Sequence, residues 1–242
     1  MTGSRNSYGQ YCPLALAVEL LCRRWTLLIL SRLVDGCRSF SEIHRGVPKI
    51  SPSLLSQRLL ELEDAGLVRR AKHGNGRRSV YEPTQACMDL DGIIMDLSIW
   101  GQHWARDMRL EDLDPGFLAW SMSLRMDTDK MPAERTVVFF EFTGTPTDFR
   151  CFWLVAEAGE VDMCLKDPGY EVDVSVRADL RTFVECWRGF RDLRQEIGAG
   201  RIRVRGPRAL CRAFPDWLKL SMLAPYQRKA GGREQKLSSR SA

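Results

Sequence analysis

The sequence predicts two domains of different class, a mainly α domain at the N-terminus and an α+β domain after it. Three observations predict this. The 242 residues exceed the usual size of one domain, and a hydrophobic fraction of 44% can fill more than one core. Apolar residues recur at three- and four-residue spacing in segments of the first hundred positions, whereas strand-like runs, with period two in places, appear between glycine turns beyond Asp114. Charge is divided too: residues 1–110 hold 15 basic and 11 acidic side chains, residues 111–173 hold 5 and 14, and residues 174–242 hold 16 and 6. Segments so unequal point to different partners or to a mutual contact.

Composition narrows the function classes. No apolar run reaches membrane-helix length and MTGSRNSYGQY lacks the apolar core of a signal peptide, so a cytoplasmic location without membrane contact is expected. The eight cysteines are scattered, with no CxxC pair and no Cys/His cluster at zinc spacing, and they read as free thiols with no metal site and no cofactor. Only His44, His73 and His103 are available as imidazoles, and no nucleophile elbow or phosphate loop appears, so the chain is not expected to be an enzyme.

From Pro13 to Leu33 the pattern PLALAVELLCRRWTLLILSRL predicts one long helix, stopped by Asp35-Gly36. Ser39 and Glu42 form a capping box, in which hydroxyl and carboxylate satisfy each other's free backbone amides, and start a short helix through Arg45. Ser51 caps a third helix with Pro52 in its first turn, and Gly66 ends it. Leu55, Leu59 and Leu62 share one face of that helix, which leaves a small, polar, uncharged outer side suited to base edges. Leu67 to Arg70 and Ser79 to Glu82 then read as a hairpin around the loop HGNGRR. Three helices followed by a basic hairpin make a winged helix-turn-helix, whose third helix enters a major groove. The segment from Arg23 to Arg78 holds 12 basic and 5 acidic residues, as phosphate contact requires.

These residues also carry a resemblance. Cys12-Pro13, Trp25 with Leu28 to Leu30, Phe40 with Glu42, Ile50-Ser51, Leu55 with Leu59, Leu62-Glu63 and Gly66-Leu67-Val68 closely resemble the HxlR family of bacterial winged-helix regulators, and the likeness continues to about Trp104. It implies a homodimer on a twofold-related operator in double-stranded DNA. Ser53, Ser56 and Gln57 are expected to read bases, Arg58 to lie near phosphate, Arg77 and Arg78 to form the wing contact, and Arg38 and Lys49 to add backbone contacts. In TQACMDLDGIIMDLSIWGQHW, Leu90, Ile94, Leu97, Gly101 and Trp104 alternate four- and three-residue steps, with Ile93 and Trp100 beside them. Leu90, Ile94, Leu97, Trp100 and Trp104 are the expected dimer interface, packing within the chain being the alternative. In some relatives the cysteine of the Cys-Pro start senses oxidants, which makes Cys12 a redox candidate against the plainer reading of a packed small residue.

After Trp104 a charged segment ending in Asp-Pro-Gly reads as a tether. A short helix from Phe117 to Met126 is expected next, then strands at Thr136 to Phe142, Phe149 to Ala156, Val161 to Leu165 and Glu171 to Val176. Asp179 caps a helix from Leu180 to Ile197, Arg201 to Arg205 form one more strand, and Pro207 opens a last helix toward Leu223. Antiparallel strands with helices on one side make an α+β layer. Over residues 115–225 the element order, with Asp173, Ile202 and Gly206 near the expected places, resembles the sterol carrier protein domain. That implies a small apolar or amphipathic effector, without implying lipid transport. Trp120, Phe139, Phe152, Trp153, Phe183 and Trp187, with Trp217, are the large side chains available to line such a pocket, or simply to fill a core. Arg201, Arg203 and Arg205, with Arg208 and Arg212, are open to three readings: a grip on an acidic ligand group, solvated surface, or contact with the acidic middle segment.

The expected organisation is a winged helix-turn-helix DNA-binding and dimerisation domain at 1–108, a linker at 109–116, a sterol-carrier-like ligand-binding domain at 117–225 and a disordered tail at 226–242. The expected function is a ligand-responsive transcription regulator. The alternatives are a regulator that senses redox state through Cys12, or a small-molecule carrier whose winged helix is vestigial.

Overall fold

The computed structural model describes residues 7–73 and 78–229. They fall into two compact units, divided between Leu97 and Ser98. The tip of the wing with Arg77, and the tail beyond Lys229, lie outside the described residues.

The N-terminal unit runs α1 (Pro13–Leu21), α2 (Thr26–Val34), α3 (Phe40–Gly46), α4 (Pro52–Asp64), β1 (Val68–His73), β2 (Arg78–Pro83) and α5 (Gln85–Met88), and α6 (Asp91–Trp104) begins here and continues past Leu97. The single helix expected from Pro13 to Leu33 is in fact two. Trp25 adopts a left-handed conformation (φ 79°), a strain of roughly 1–3 kcal/mol that apolar periodicity does not reveal, and the Arg24 guanidinium lies 5.0 Å from its ring centroid. Beyond the break, Ile29, Leu30 and Leu33 of α2 are fully buried with Ile43 of α3 and Leu55, Leu59 and Leu62 of α4.

Both expected caps form. The Ser39 hydroxyl accepts from the Glu42 amide at 3.2 Å while Glu42 accepts from the Ser39 amide at 3.0 Å, and the Ser51 hydroxyl accepts from the Leu54 amide at 3.3 Å. Gly66, at φ 73°, turns the chain from α4 into β1. The hairpin pairs Val68 with Pro83 through to His73 with Arg78. A backbone bond from the Tyr81 amide to the Arg38 carbonyl at 2.7 Å ties the hairpin to the start of α3.

The C-terminal unit continues with α7 (Pro115–Ser123), β3 (Thr136–Thr143), β4 (Cys151–Glu157), β5 (Glu160–Cys164), β6 (Val174–Asp179), α8 (Leu180–Trp187), α9 (Leu193–Gly198), β7 (Ile202–Arg205) and α10 (Arg208–Trp217). Its sheet has the order β5-β4-β3-β6-β7. Val138, Phe140, Phe142, Phe152, Leu154, Val174 and Val176 are buried in one core with Leu118 and Met122 of α7, Phe183 of α8, and Phe214 and Trp217 of α10. The register places Phe139, Trp153, Ser175, Arg177, Arg203 and Arg205 on the opposite face.

Five expectations are corrected here. The sheet is mixed rather than antiparallel, because β6 enters beside β3 in the same direction; Asp173 pins that entry, its carboxylate accepting from the Val137 amide at 2.7 Å and its own amide donating to the Val137 carbonyl at 3.0 Å. A period-two pattern carries no strand direction. The helix expected from Leu180 to Ile197 divides at Gly189 (φ 79°), where a Cβ would stand 2.2 Å from the Ala224 carbonyl oxygen, and Asp192 caps the second piece. The final helix stops at Trp217, since Leu218 is extended and bridges to Met126. Residues 109–116 are not a free tether: Leu113 is buried in the core, and the Asp114 carboxylate caps α7 through the Gly116 and Phe117 amides. The expected tail also begins as part of this unit, Gln227 donating to the Gly189 carbonyl at 2.9 Å.

Candidate nucleic-acid interface

Helix α4 builds the surface. With Leu55, Leu59 and Leu62 turned into the core, Ser53, Ser56 and Gln57 stand exposed on its N-terminal half. Ser53 Oγ lies 3.2 Å from Ser51 Oγ, and Gln57 Nε2 donates to Glu61 Oε1 at 3.1 Å. Two hydroxyls and an amide form a short polar surface that offers both donors and acceptors, the chemistry needed to meet the edges of bases. The turn leading into α4 is fixed by His44, whose Nε2 is 3.0 Å from the Ile50 carbonyl and whose ring stacks on Phe40.

Charge around α4 is gathered on Glu61. Its Oε2 accepts from Arg58 at 2.5 Å and from Arg23 at 3.3 Å, while Arg58 Nε donates to the Arg24 carbonyl at 3.2 Å. Burial pushes the Glu61 carboxyl up, and the bonds from Arg58 and Arg23 more than offset it, holding the group below the usual carboxylate range. Arg58, expected near phosphate, is thus held in a three-residue network with its side chain only 17% exposed. Arg38 is drawn inward as well: its Nη1 donates to the Leu33 carbonyl at 2.6 Å and the Cys37 carbonyl at 3.0 Å, closing the end of α2 instead of projecting toward a backbone. Lys49 is exposed in the loop before α4.

On the hairpin, Arg69 pairs with Glu82 at 2.6 Å across the strands, and Arg70 donates to Ser79 Oγ at 3.0 Å. Arg70 also lines a cavity of about 120 Å³ with Ser56, Leu59, Leu60, Glu63 and Tyr81, which brings a hairpin arginine beside α4. Of the two expected wing residues, Arg78 opens β2 and Arg77 lies outside the described residues. Sequence reading missed Glu61, Arg23 and Arg70. The three-residue step from Arg58 to Glu61 was a legible helix pairing, but Arg23 reaches Glu61 across 38 residues, which no local spacing signals.

The other expected sites divide. On α6, Ile93, Leu97, Trp100 and Trp104 form an exposed stripe, with Trp100 58% exposed, while Leu90 and Ile94, expected in the dimer seam, are half-buried. Gln102 on the same helix is buried, donating to the Arg188 carbonyl at 3.1 Å and accepting from Arg188 Nε at 3.1 Å. The six side chains expected to line a ligand pocket fall on both faces of the sheet and in the helices packed on it. Phe152 and Phe183 pack against Phe140 with ring centroids 4.9 and 5.8 Å away, Trp120 and Trp187 are buried, and Phe139 and Trp153 pair at 4.9 Å on the opposite sheet face. A groove of about 400 Å³ lies elsewhere in the same unit, lined by Phe190, Leu193, Pro215, Leu218 and Leu220, with Arg191 and Arg194 beside them. Cys12 is exposed at the start of α1, where the backbone amides of Ala15 and Leu14 lower its thiol pKa.

Residues 20–109 match the family described as HxlR-like helix-turn-helix. The uncharacterized HTH-type transcriptional regulator YvaP of Bacillus subtilis is 35% identical over 112 residues, covering 46% of this chain and 96% of the relative. The HTH-type transcriptional regulator YodB of Bacillus subtilis is 32% identical over 95 residues, covering 38% of this chain and 85% of the relative. The solved reduced form of YodB is 32% identical, covers 38% of this chain and 93% of that one, and superposes with a TM-score of 0.35. Among the described residues no helix is long and apolar enough to cross a membrane.

Proposed function

The chain belongs to the HxlR-like helix-turn-helix family of transcription regulators, and from that premise we propose that it binds a twofold-related DNA operator as a homodimer and that its C-terminal unit takes a small amphipathic effector. The observation that carries the reading is α4, capped by Ser51, presenting Ser53, Ser56 and Gln57 beside a hairpin that bears Arg69 and Arg70. The polar face reads bases and the arginines approach phosphate. The exposed stripe of α6 supplies the apolar surface for a second copy.

For the effector, the groove at Phe190, Leu193, Pro215, Leu218 and Leu220 replaces the aromatic core as the place of binding, and the succession of strands, helices and terminal helix supports a sterol-carrier-like reading of this unit. An effector acts by binding unequally to two arrangements of the dimer. Fluorescence anisotropy of the protein with operator and scrambled duplexes over a salt series tests the DNA reading. A preference that persists at moderate salt is expected, and equal, salt-labile binding to both duplexes would move the carrier reading forward.

A second reading makes Cys12 the sensor, favoured by its exposure and lowered thiol pKa and by the reduced form in which a relative has been solved. Cys37 and Cys186, buried with thiols pushed up to about 11 and about 12, are poorly suited to that role. Oxidant is expected to shift the operator affinity of the wild type and spare Cys12→Ser; equal responses eliminate this reading.

A further inference from the structure

We propose that Arg203 and Arg205 of β7, with Arg208 and Arg212 of α10, form a second phosphate-contacting surface for duplex DNA on the C-terminal unit. The inference rests on the DNA-binding reading and adds a surface to it.

The segment RIRVRGPRALCR, from Arg201 to Arg212, holds five arginines and no carboxylate. β7 is an edge strand, and its register sets Arg203 opposite Arg177 and Arg205 opposite Ser175, on the sheet face away from buried Ile202. On α10, Arg208 and Arg212 are one turn apart, on the side opposite the buried Phe214 and Trp217. All four are exposed.

Their lack of partners separates them from their neighbours. In the same unit Arg135 pairs with Glu157, Arg177 with Glu141, Arg181 with Asp107, Arg191 with Glu185, Arg194 with Asp216 and Arg201 with Glu196. Among the described residues, no ion pair or side-chain hydrogen bond engages the guanidinium of Arg203, Arg205, Arg208 or Arg212. Arg177 and Arg203 moreover face each other directly, a like-charge arrangement that opposes sheet pairing, and only Glu141 offsets it. Edge strands use single charges to deter association, but the cluster extends past the strand into a helix, where no edge needs protecting.

The arrangement selects the partner. Side chains two apart on a strand stand about 6.6 Å apart, and those four apart on a helix about 6 Å apart, so within each pair the cations are strung along their element in a row rather than gathered on one anionic group. A row suits a polyanion with regularly spaced phosphates, whereas a small acid needs convergent donors in a concavity. The groove of this unit includes none of the four, and its own Arg191 and Arg194 are already paired.

The test compares the full-length wild type with the quadruple variant Arg203→Ala, Arg205→Ala, Arg208→Ala, Arg212→Ala, and with the matching quadruple lysine variant. Binding to operator and scrambled duplexes is measured by anisotropy over a salt series, and thermal melting confirms that each variant folds. The alanine variant is expected to weaken binding to both duplexes alike and to flatten the salt slope by about 0.9 for each phosphate no longer neutralised, with lysine restoring the slope. If the wild type binds DNA and the alanine variant keeps its slope, this surface is overturned while the DNA-binding reading stands. Failure of the wild type to bind any duplex removes both. A variant with an unchanged slope and a changed sedimentation coefficient would assign the arginines to a second copy of the chain and overturn the DNA assignment.

Discussion

Glu61, on α4, holds two guanidiniums and an amide, so in the proposed DNA-binding reading it limits how much positive charge this surface would offer to a phosphate backbone. Replacing it with glutamine frees Arg58 and Arg23, and Glu61→Gln is expected to raise affinity for operator and scrambled duplexes together, steepening the salt slope by roughly one for each arginine that gains a phosphate. An unchanged slope would show that neither arginine faces DNA. Glu42 permits a test by pH. The Arg38 amide lowers its carboxyl pKa most, burial opposes it, and Ser39 adds to the lowering, so the folded value lies below the unfolded one. The stabilisation is therefore complete above the unfolded value of about 4.3 and is lost as pH falls through the folded value. Melting temperature measured from pH 6 to pH 3 is expected to fall more steeply in the wild type than in Glu42→Gln, which keeps the acceptor and lacks the titration. The Ser39–Glu42 box was legible in four consecutive letters because both partners lie on one turn. The inward turn of Arg38 was not, because it depends on the backbone carbonyls of Leu33 and Cys37 at the end of α2.

Elements were legible where their punctuation is local and illegible where a distant segment sets it. Ser51, Pro52 and Gly66 marked α4 correctly, and the turn glycines located the strands. The break between α8 and α9 escaped because it depends on Gly189 fitting against Ala224, 35 positions later, while the intervening sequence stays compatible with a helix. Gly189→Ala would place a Cβ 2.2 Å from a backbone oxygen at a left-handed φ, and is expected to destabilise the protein by about 2 kcal/mol or more. Gly198→Ala, at the end of α9 with nothing within 4 Å, is the control and is expected to leave the melting temperature nearly unchanged. Equal melting temperatures for both variants would mean that the α8–α9 turn tolerates a side chain. The same logic explains the sheet: alternation located most strands, but β6 starts three residues later than expected, at Val174, and its parallel entry depends on Asp173 meeting Val137.

At the scale of the whole molecule, a mainly helical unit followed by a sheet-containing one was visible in the change of period, whereas core and pocket lining stayed undivided in the sequence because both use the same residue types. The proposed dimer would make the molecule's behaviour depend on more than one chain. Ile93, Leu97, Trp100 and Trp104 follow four-, three- and four-residue steps on α6 and are 58%, 49%, 58% and 38% exposed, an apolar stripe of the kind that a second helix covers. Trp100→Glu places a charge at its centre and is expected to shift sedimentation toward the monomer. Two linked reading heads gain on the order of 100-fold or more over one, so the variant is expected to lose about that factor on a two-half-site operator while binding a single half-site as the wild type does. A variant that sediments as the wild type and keeps its operator affinity would place the dimer contact elsewhere. Equal losses on both duplexes would mean that α6 supports the winged helix itself rather than joining two of them.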